Sequence, residues 1–325
     1  MMQKEPGIII GSITRLLGWM FNRVFCVIYN IVQSNALGVS IVVITVFVRL
    51  LILPLSLQQV KSSIKMQELQ PQIKKLREKY LNSGQNNPET QKKFNFEVQK
   101  LYNQNGINPV GGCVLAFIQL PIFMALNQLL ANSYRYISVI GDAYKVLAEK
   151  IMSIPGYITL VRPLAEPKVP SNMQIDLRLL TDMQKVVNKL TFNDWDVFLS
   201  KFDFVTKKQI KELLIKKESL ENFLGIDLIE PCGIKWPGVI IPILVILVTF
   251  LSSYLMAKMT EQNQSNDEVS GSQQKIFLLI MPLLMGFLTL NLSSGVGVYW
   301  ITSSLIQALQ QFCVNNFYRK SKGEV

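Results

Sequence analysis

Histidine is absent from all 325 residues. That excludes Ser-His and Cys-His nucleophiles, histidine-ligated zinc and histidine proton relays. Cysteine is scarce. Cys26, Cys113, Cys232 and Cys313 lie far apart with no CxxC pair, so neither a disulfide framework nor a metal site is expected. Charge is thin, at 17% of the chain against about 25% in an ordinary soluble domain. The long apolar runs contain no Asp or Glu. No catalytic residue and no cofactor site can be nominated, and the expectation is a protein that is not an enzyme.

Hydrophobicity is what the chain has in excess. Apolar residues make up 49% and the mean hydropathy is +0.27. The net charge of +11, from 33 basic and 22 acidic residues, would suit either nucleic acid or an anionic membrane surface. The hydropathy decides for the membrane, and no specific nucleic-acid partner is expected.

A helix needs about 20 mainly apolar residues to cross a bilayer. Residues 36–57 qualify with one charge, Arg49, while 109–131 and 236–257 qualify with none. From Ile276 to Tyr318 the chain carries no charge, enough for two spans, 276–293 and 298–318. The Gly- and Ser-rich stretch Leu292–Gly297 marks an outer turn at 294–297. Five transmembrane helices are therefore expected. Residues 1–35 read differently: Ser12, Arg15, Asn22, Arg23, Asn30 and Gln33 recur at helical spacing, as in an amphipathic helix lying in the interface. An uncleaved signal-anchor is the competing reading.

Charge orients the spans. Residues 60–108 hold nine basic and four acidic side chains, which makes this loop cytoplasmic by the positive-inside rule. Alternation then puts the N-terminus and the loop 132–235 outside. It puts 258–275 and the tail 319–325 inside. The loop 58–108 reads as a helical hairpin. Met66, Leu69, Ile73, Leu76 and Tyr80 form one seam and Phe94, Val98 and Leu101 the other, with Asn87 as N-cap and Pro88 as first helical residue. The outer loop reads as a small helical cap, with a capping box at Thr206/Gln209, a stop at Gly225 and a short helix over 194–202.

Arg49 carries the most information. A charge in mid-span costs about 2.5–3.5 kcal/mol on insertion scales, and no span offers a carboxylate partner. The expectation is a polar, hydrated cavity. Thr45 shares the face of Arg49, Gln119 faces inward from the second span, and Trp300, Ser303 and Gln307 form a stripe on the fifth. These are the candidate substrate-binding residues. An anion transporter built on the same arginine stays open as an alternative.

The sequence also resembles a known family. The run Thr45-Val-Phe-Val-Arg-Leu-Leu-Ile-Leu-Pro-Leu55 is followed by Gln67-Glu-Leu-Gln-Pro71 and Leu76-Arg-Glu-Lys-Tyr80. Then come Leu101-Tyr-Asn-Gln-Asn-Gly-Ile-Asn-Pro109, Gly111-Gly-Cys113, Ile118-Gln-Leu-Pro-Ile-Phe123 and Gly297-Val-Tyr-Trp300. Their order resembles the YidC/Oxa1/Alb3 family of membrane protein insertases, in its short bacterial form. The resemblance implies an all-α membrane protein with a groove arginine at Arg49, a basic cytoplasmic hairpin and an outer amphipathic helix. It implies a bacterial plasma-membrane location. Nascent membrane proteins and the lipid bilayer would be its partners, with the Sec translocon and the ribosome beside them. Ser294 stands where the family usually has proline, and the tail after Tyr318 has only seven residues.

Overall fold

The computed structural model describes residues 7–81, 88–107, 111–168, 174–234, 236–261 and 268–321. Among these residues the chain forms fourteen α-helices, one 3-10 turn and one minimal β-hairpin. Two compact units emerge. The first combines 1–44, 121–239 and 291–298; the second combines 45–120, 240–290 and 299–325.

In the first unit, α1 (Ile8–Val32) buries Leu17, Phe21 and Phe25. Gly18 lets the helix approach Tyr136, because an added Cβ would meet that ring at 2.7 Å. Ile137, the residue before α7 (Ser138–Met152), offers no capping side chain. Asn22 of α1 supplies the missing acceptor: its Oδ1 takes the Ser138 N–H at 2.9 Å and the Ser138 hydroxyl at 3.0 Å. Ile140, Tyr144, Leu147 and Ile151 of α7 are then fully buried among α9 (Leu180–Val187) and α11 (Phe204–Glu221).

The helices of 132–235 begin elsewhere than expected. The capping box belongs to Thr191 and Asp194 and opens α10 (Phe192–Leu199), not the helix at Thr206. Asp203 caps α11, accepting from the N–H groups of Val205 and Thr206. A carboxylate three residues earlier outcompetes the Thr206 hydroxyl. Gly225 does not stop α11, which ends at Glu221; it sits at φ +85° in the turn between β1 (Asn222–Phe223) and β2 (Ile226–Asp227). Phe223 packs on Gly38, where any side chain would collide with its ring.

The outer turn also moves. Residues 290–293 make it, and α14 runs Ser294–Ser321, so Gly295 and Gly297 are helical. Gly295 is required for packing instead. A Cβ there would meet Ile41 and Leu130 at 2.8 Å and the Leu228 carbonyl at 3.0 Å.

In the second unit, α2 (Ala36–Glu68) continues well past the apolar run, and α3 (Gln70–Leu81) starts one residue later. α3 packs along α4 (Pro88–Gln104), with Leu76 and Leu101 lining the groove between them. The turn expected at Asn87 lies outside the described residues, as do 108–110, 262–267 and the end of the tail. α12 (Ile240–Glu261) and α13 (Glu268–Thr289) pair closely through Gly286, whose missing Cβ leaves room for Ile246 and for the Pro242 carbonyl at 3.4 Å. They reach further in sequence than expected, leaving little of 258–275 as loop. α12 starts at Ile240, because Trp236–Val239 form a turn. Among the described residues, Ala36–Met66 is the helix long and apolar enough to cross a membrane; shorter apolar stretches run Ile118–Ala131, Ile240–Tyr254 and Leu279–Thr289.

The core of 132–235 holds a polar cluster. Glu221 is fully buried; its Oε2 accepts from Lys217 Nζ at 2.7 Å and its Oε1 from the Tyr144 hydroxyl at 2.6 Å. Lys217 lies over the Tyr144 ring, 5.2 Å from its centroid. Burial pushes the Glu221 carboxyl from 4.5 up to about 7, against the pull of Lys217. An acid with a raised folded pKa lends stability that is complete below its unfolded pKa and lost as pH rises through the folded value. Stability should therefore fall by roughly 3 kcal/mol between pH 4.5 and just above 7. Glu230, also raised by burial, adds to the same slope. Thermal unfolding in detergent at several pH values should show this decline, and Glu221→Gln should flatten most of it. Equal slopes in both proteins would refute the assignment.

Candidate functional site

The polar residues in the apolar helices converge within the second unit. Arg49 lies in α2, five residues before Pro54, and only 7% of it is exposed. Its Nε donates to Ser303 Oγ at 2.7 Å, and Nη2 donates to the same oxygen. Nη2 also reaches Gln307 Oε1 at 3.3 Å. Ser303 and Gln307 stand one turn apart on α14, so the guanidinium lies along that helix. Among the described residues no carboxylate pairs with it. A buried cation held only by neutral dipoles keeps its full positive charge.

Tyr299 extends the cluster. It is 3% exposed, its hydroxyl accepts from Gln119 Nε2 of α5 (Gly111–Ala131), and Ser303 lies one turn on within hydrogen-bonding reach. Ser303 Oγ accepts hydrogen bonds from Arg49, which leaves its own O–H to donate to Tyr299. The chain Arg49–Ser303–Tyr299–Gln119 thus links α2, α14 and α5.

Of the six residues nominated from sequence, Arg49, Ser303, Gln307 and Gln119 are brought together. Thr45 is on the right face but fully buried, one turn from Arg49. Trp300 turns its ring N–H to Thr249 Oγ1 of α12 at 3.3 Å instead of joining the arginine. Ser56 spends its hydroxyl on the Leu53 carbonyl at 2.9 Å, beside Pro54. Tyr299 was missed as a site residue. Its spacing of four from Ser303 was the available signal, hidden because tyrosine passes as an ordinary core residue.

Large apolar side chains are exposed on α2 and α14 and on the α12/α13 pair. Phe47 and Leu51 of α2 are exposed, as are Leu247 and Leu251 of α12, Leu283 and Phe287 of α13, and Leu305 and Leu309 of α14. Water-facing surfaces do not carry apolar belts of this extent.

Comparison with known proteins agrees with this picture. The sequence profile of the family described as 60Kd inner membrane protein matches residues 27–322. A membrane protein insertase YidC from Clostridium perfringens is 27% identical over 311 residues, covering 93% of this chain and 91% of that protein. A YidC from Oceanobacillus iheyensis is 25% identical, covering 87% of this chain and 76% of its own length. ALBINO3-like protein 1 of Arabidopsis thaliana, a chloroplastic protein, is 26% identical over 86% of this chain and 43% of itself.

Removing the shared acceptor tests how the charge is held. Ser303→Ala should leave Nε of Arg49 without a partner and lower stability by roughly 1–3 kcal/mol, read as a lower melting temperature in detergent. Ser303→Thr, which keeps the hydroxyl, should melt close to the unaltered protein. An unchanged melting temperature in Ser303→Ala would mean that water already solvates the guanidinium.

Proposed function

The chain belongs to the 60Kd inner membrane protein family, the YidC/Oxa1/Alb3 proteins, and from that membership we propose that it is a membrane protein insertase. It accepts nascent hydrophobic segments in a hydrated, positively charged groove and releases them into the bilayer. The observation that carries the reading is Arg49: a buried cation, in an apolar helix, with neutral partners only among the described residues. Such a charge attracts acidic residues in the polar flank of a client. Burial of the client's apolar segment in lipid then drives its release. A membrane potential adds about 2.3 kcal/mol per charge per 100 mV to the outward movement of a negative flank.

The architecture in this reading has five membrane spans, drawn from α2, α5, α12, α13 and α14. The exposed apolar belt supports it. The α3/α4 hairpin and the C-terminal tail lie on the cytoplasmic side, and the N-terminus and the loop 132–235 lie outside. α1 is an interfacial helix, and its surface supports that: Phe21 and Phe25 are buried, Arg15, Arg23 and Asn30 are exposed, and so are Leu16, Trp19, Val27 and Ile31. Thr45, Gln119, Tyr299, Ser303 and Gln307 support Arg49 in the groove, and Trp300 closes it on the α12 side. The location is the bacterial plasma membrane, and the partners are nascent membrane proteins and lipid. No observation favours the anion transporter.

The test is insertion into liposomes of a client series graded by acidic flank charge, normalised to reconstituted protein. Arg49→Ala should lower insertion of acidic-flank clients about fivefold, the equivalent of roughly 1 kcal/mol for one screened ion pair. Neutral-flank clients should lose much less. Arg49→Lys should retain most activity, because a point charge suffices for attraction. A loss independent of flank charge would overturn the electrostatic mechanism, and no insertion by the unaltered protein would overturn the insertase reading.

A further inference from the structure

The tip of the β1–β2 hairpin is built against local preference. Phe223 pairs with Ile226, so Leu224 and Gly225 form a two-residue loop, and both have positive φ, 52° and 85°. This is a type I′ turn, whose first position ordinarily takes Asn, Asp or Gly. A leucine there strains its backbone, since a branched apolar side chain has no polar group to compensate the left-handed conformation. The leucine is also 76% exposed. Neither packing nor turn chemistry accounts for it.

The strain is held in place from outside the hairpin. The Leu224 N–H donates to Asn35 Oδ1 at 2.8 Å, and Asn35 is itself left-handed at φ 62°. Two of the three non-glycine residues with positive φ among the described residues therefore grip each other. Asn35 directly precedes Ala36, the first residue of the long apolar helix, and Phe223 rests on Gly38 in that helix's first turn. The leucine is thus fixed beside the first turn of α2. Ile31 and Val32, at the end of α1, are 77% and 43% exposed and lie within four residues of Asn35.

We propose that Leu224 is a lipid anchor: the hairpin tip, clamped by Asn35, sits among the headgroups and upper acyl chains of the bilayer. It fixes the loop 132–235 to the membrane surface. The occupant is lipid and not a second protein, because the tip is joined to the start of the long apolar helix α2, close in the chain to the exposed Ile31 and Val32 that end α1. The proposal rests on α2 crossing the membrane, and it holds for either orientation of that helix.

The experiment places single cysteines in a full-length chain whose four native cysteines are replaced by serine. Leu224→Cys, Phe47→Cys and Lys207→Cys are each labelled with a small environment-sensitive fluorophore and reconstituted into phosphatidylcholine/phosphatidylglycerol vesicles. Lipid carrying a nitroxide near its headgroup should quench the label at 224 about twofold, as expected for a side chain a few ångströms below the interface. Iodide should quench it weakly. The label at 47 should respond to lipid quencher alone and the label at 207 to iodide alone. Iodide quenching at 224 as strong as at 207 would overturn the anchor, and so would a label quenched by neither agent, which would indicate burial against protein. If the label at 47 also responds only to iodide, the membrane-crossing reading fails as well. Insertion by the same labelled proteins separates either failure from loss of insertase activity.

Discussion

A guanidinium with no counter-ion among the described residues is the constraint around which the helices near it are arranged. Arg49 cannot leave its helix, and transferring it into hydrocarbon unpartnered is prohibitive. The chain resolves this with dipoles: two successive inward positions of α14 present a hydroxyl and an amide oxygen, and Tyr299 and Gln119 extend the network to α5. A carboxylate in the same place would bind the cation more tightly but would cancel the field. Neutral partners hold the side chain in position and leave its charge available.

Glycine does parallel work where helices must touch. Gly286 brings α13 onto α12, and Gly295 lets the start of α14 reach Ile41 and Leu130. In lipid, helices gain no hydrophobic drive from meeting one another, so close approach and dispersion carry the association. These glycines lie within helices, where their conformational freedom is a cost, and their value is the space that they leave.

Legibility in the sequence followed chemistry more closely than geometry. Arg49, Gln119, Ser303 and Gln307 stood out because a polar group in an apolar run is expensive, and the expense needs a reason. Trp300 shared their stripe but faces α12, because a stripe read at helical spacing is wide enough to span two neighbours. Tyr299 stood in the family-like run Gly297–Trp300 but not among the nominated polar residues, because its ring reads as core while its hydroxyl does the linking. Gly295 passed for a turn residue because flexibility and small size are indistinguishable in one letter. Asp203 and Thr206 both qualify as caps, and only the observed hydrogen bonds distinguish them. The outer loop was least legible, since its core mixes apolar contacts with the buried Tyr144–Glu221–Lys217 cluster and its amphipathic periods are short.

The cap that Asn22 places on α7 has a consequence for the order of synthesis. Donor and acceptor are 116 residues apart in the chain, so they leave the ribosome at well-separated times. Until Ser138 arrives, α1 lacks the partner for its buried face, and the amide end of α7 does not yet exist. The first helix made is therefore among the later ones to settle. The long apolar helix α2, the α3/α4 hairpin and α5 lie between the two residues, so the contact that completes α7 forms only after all of them have been made.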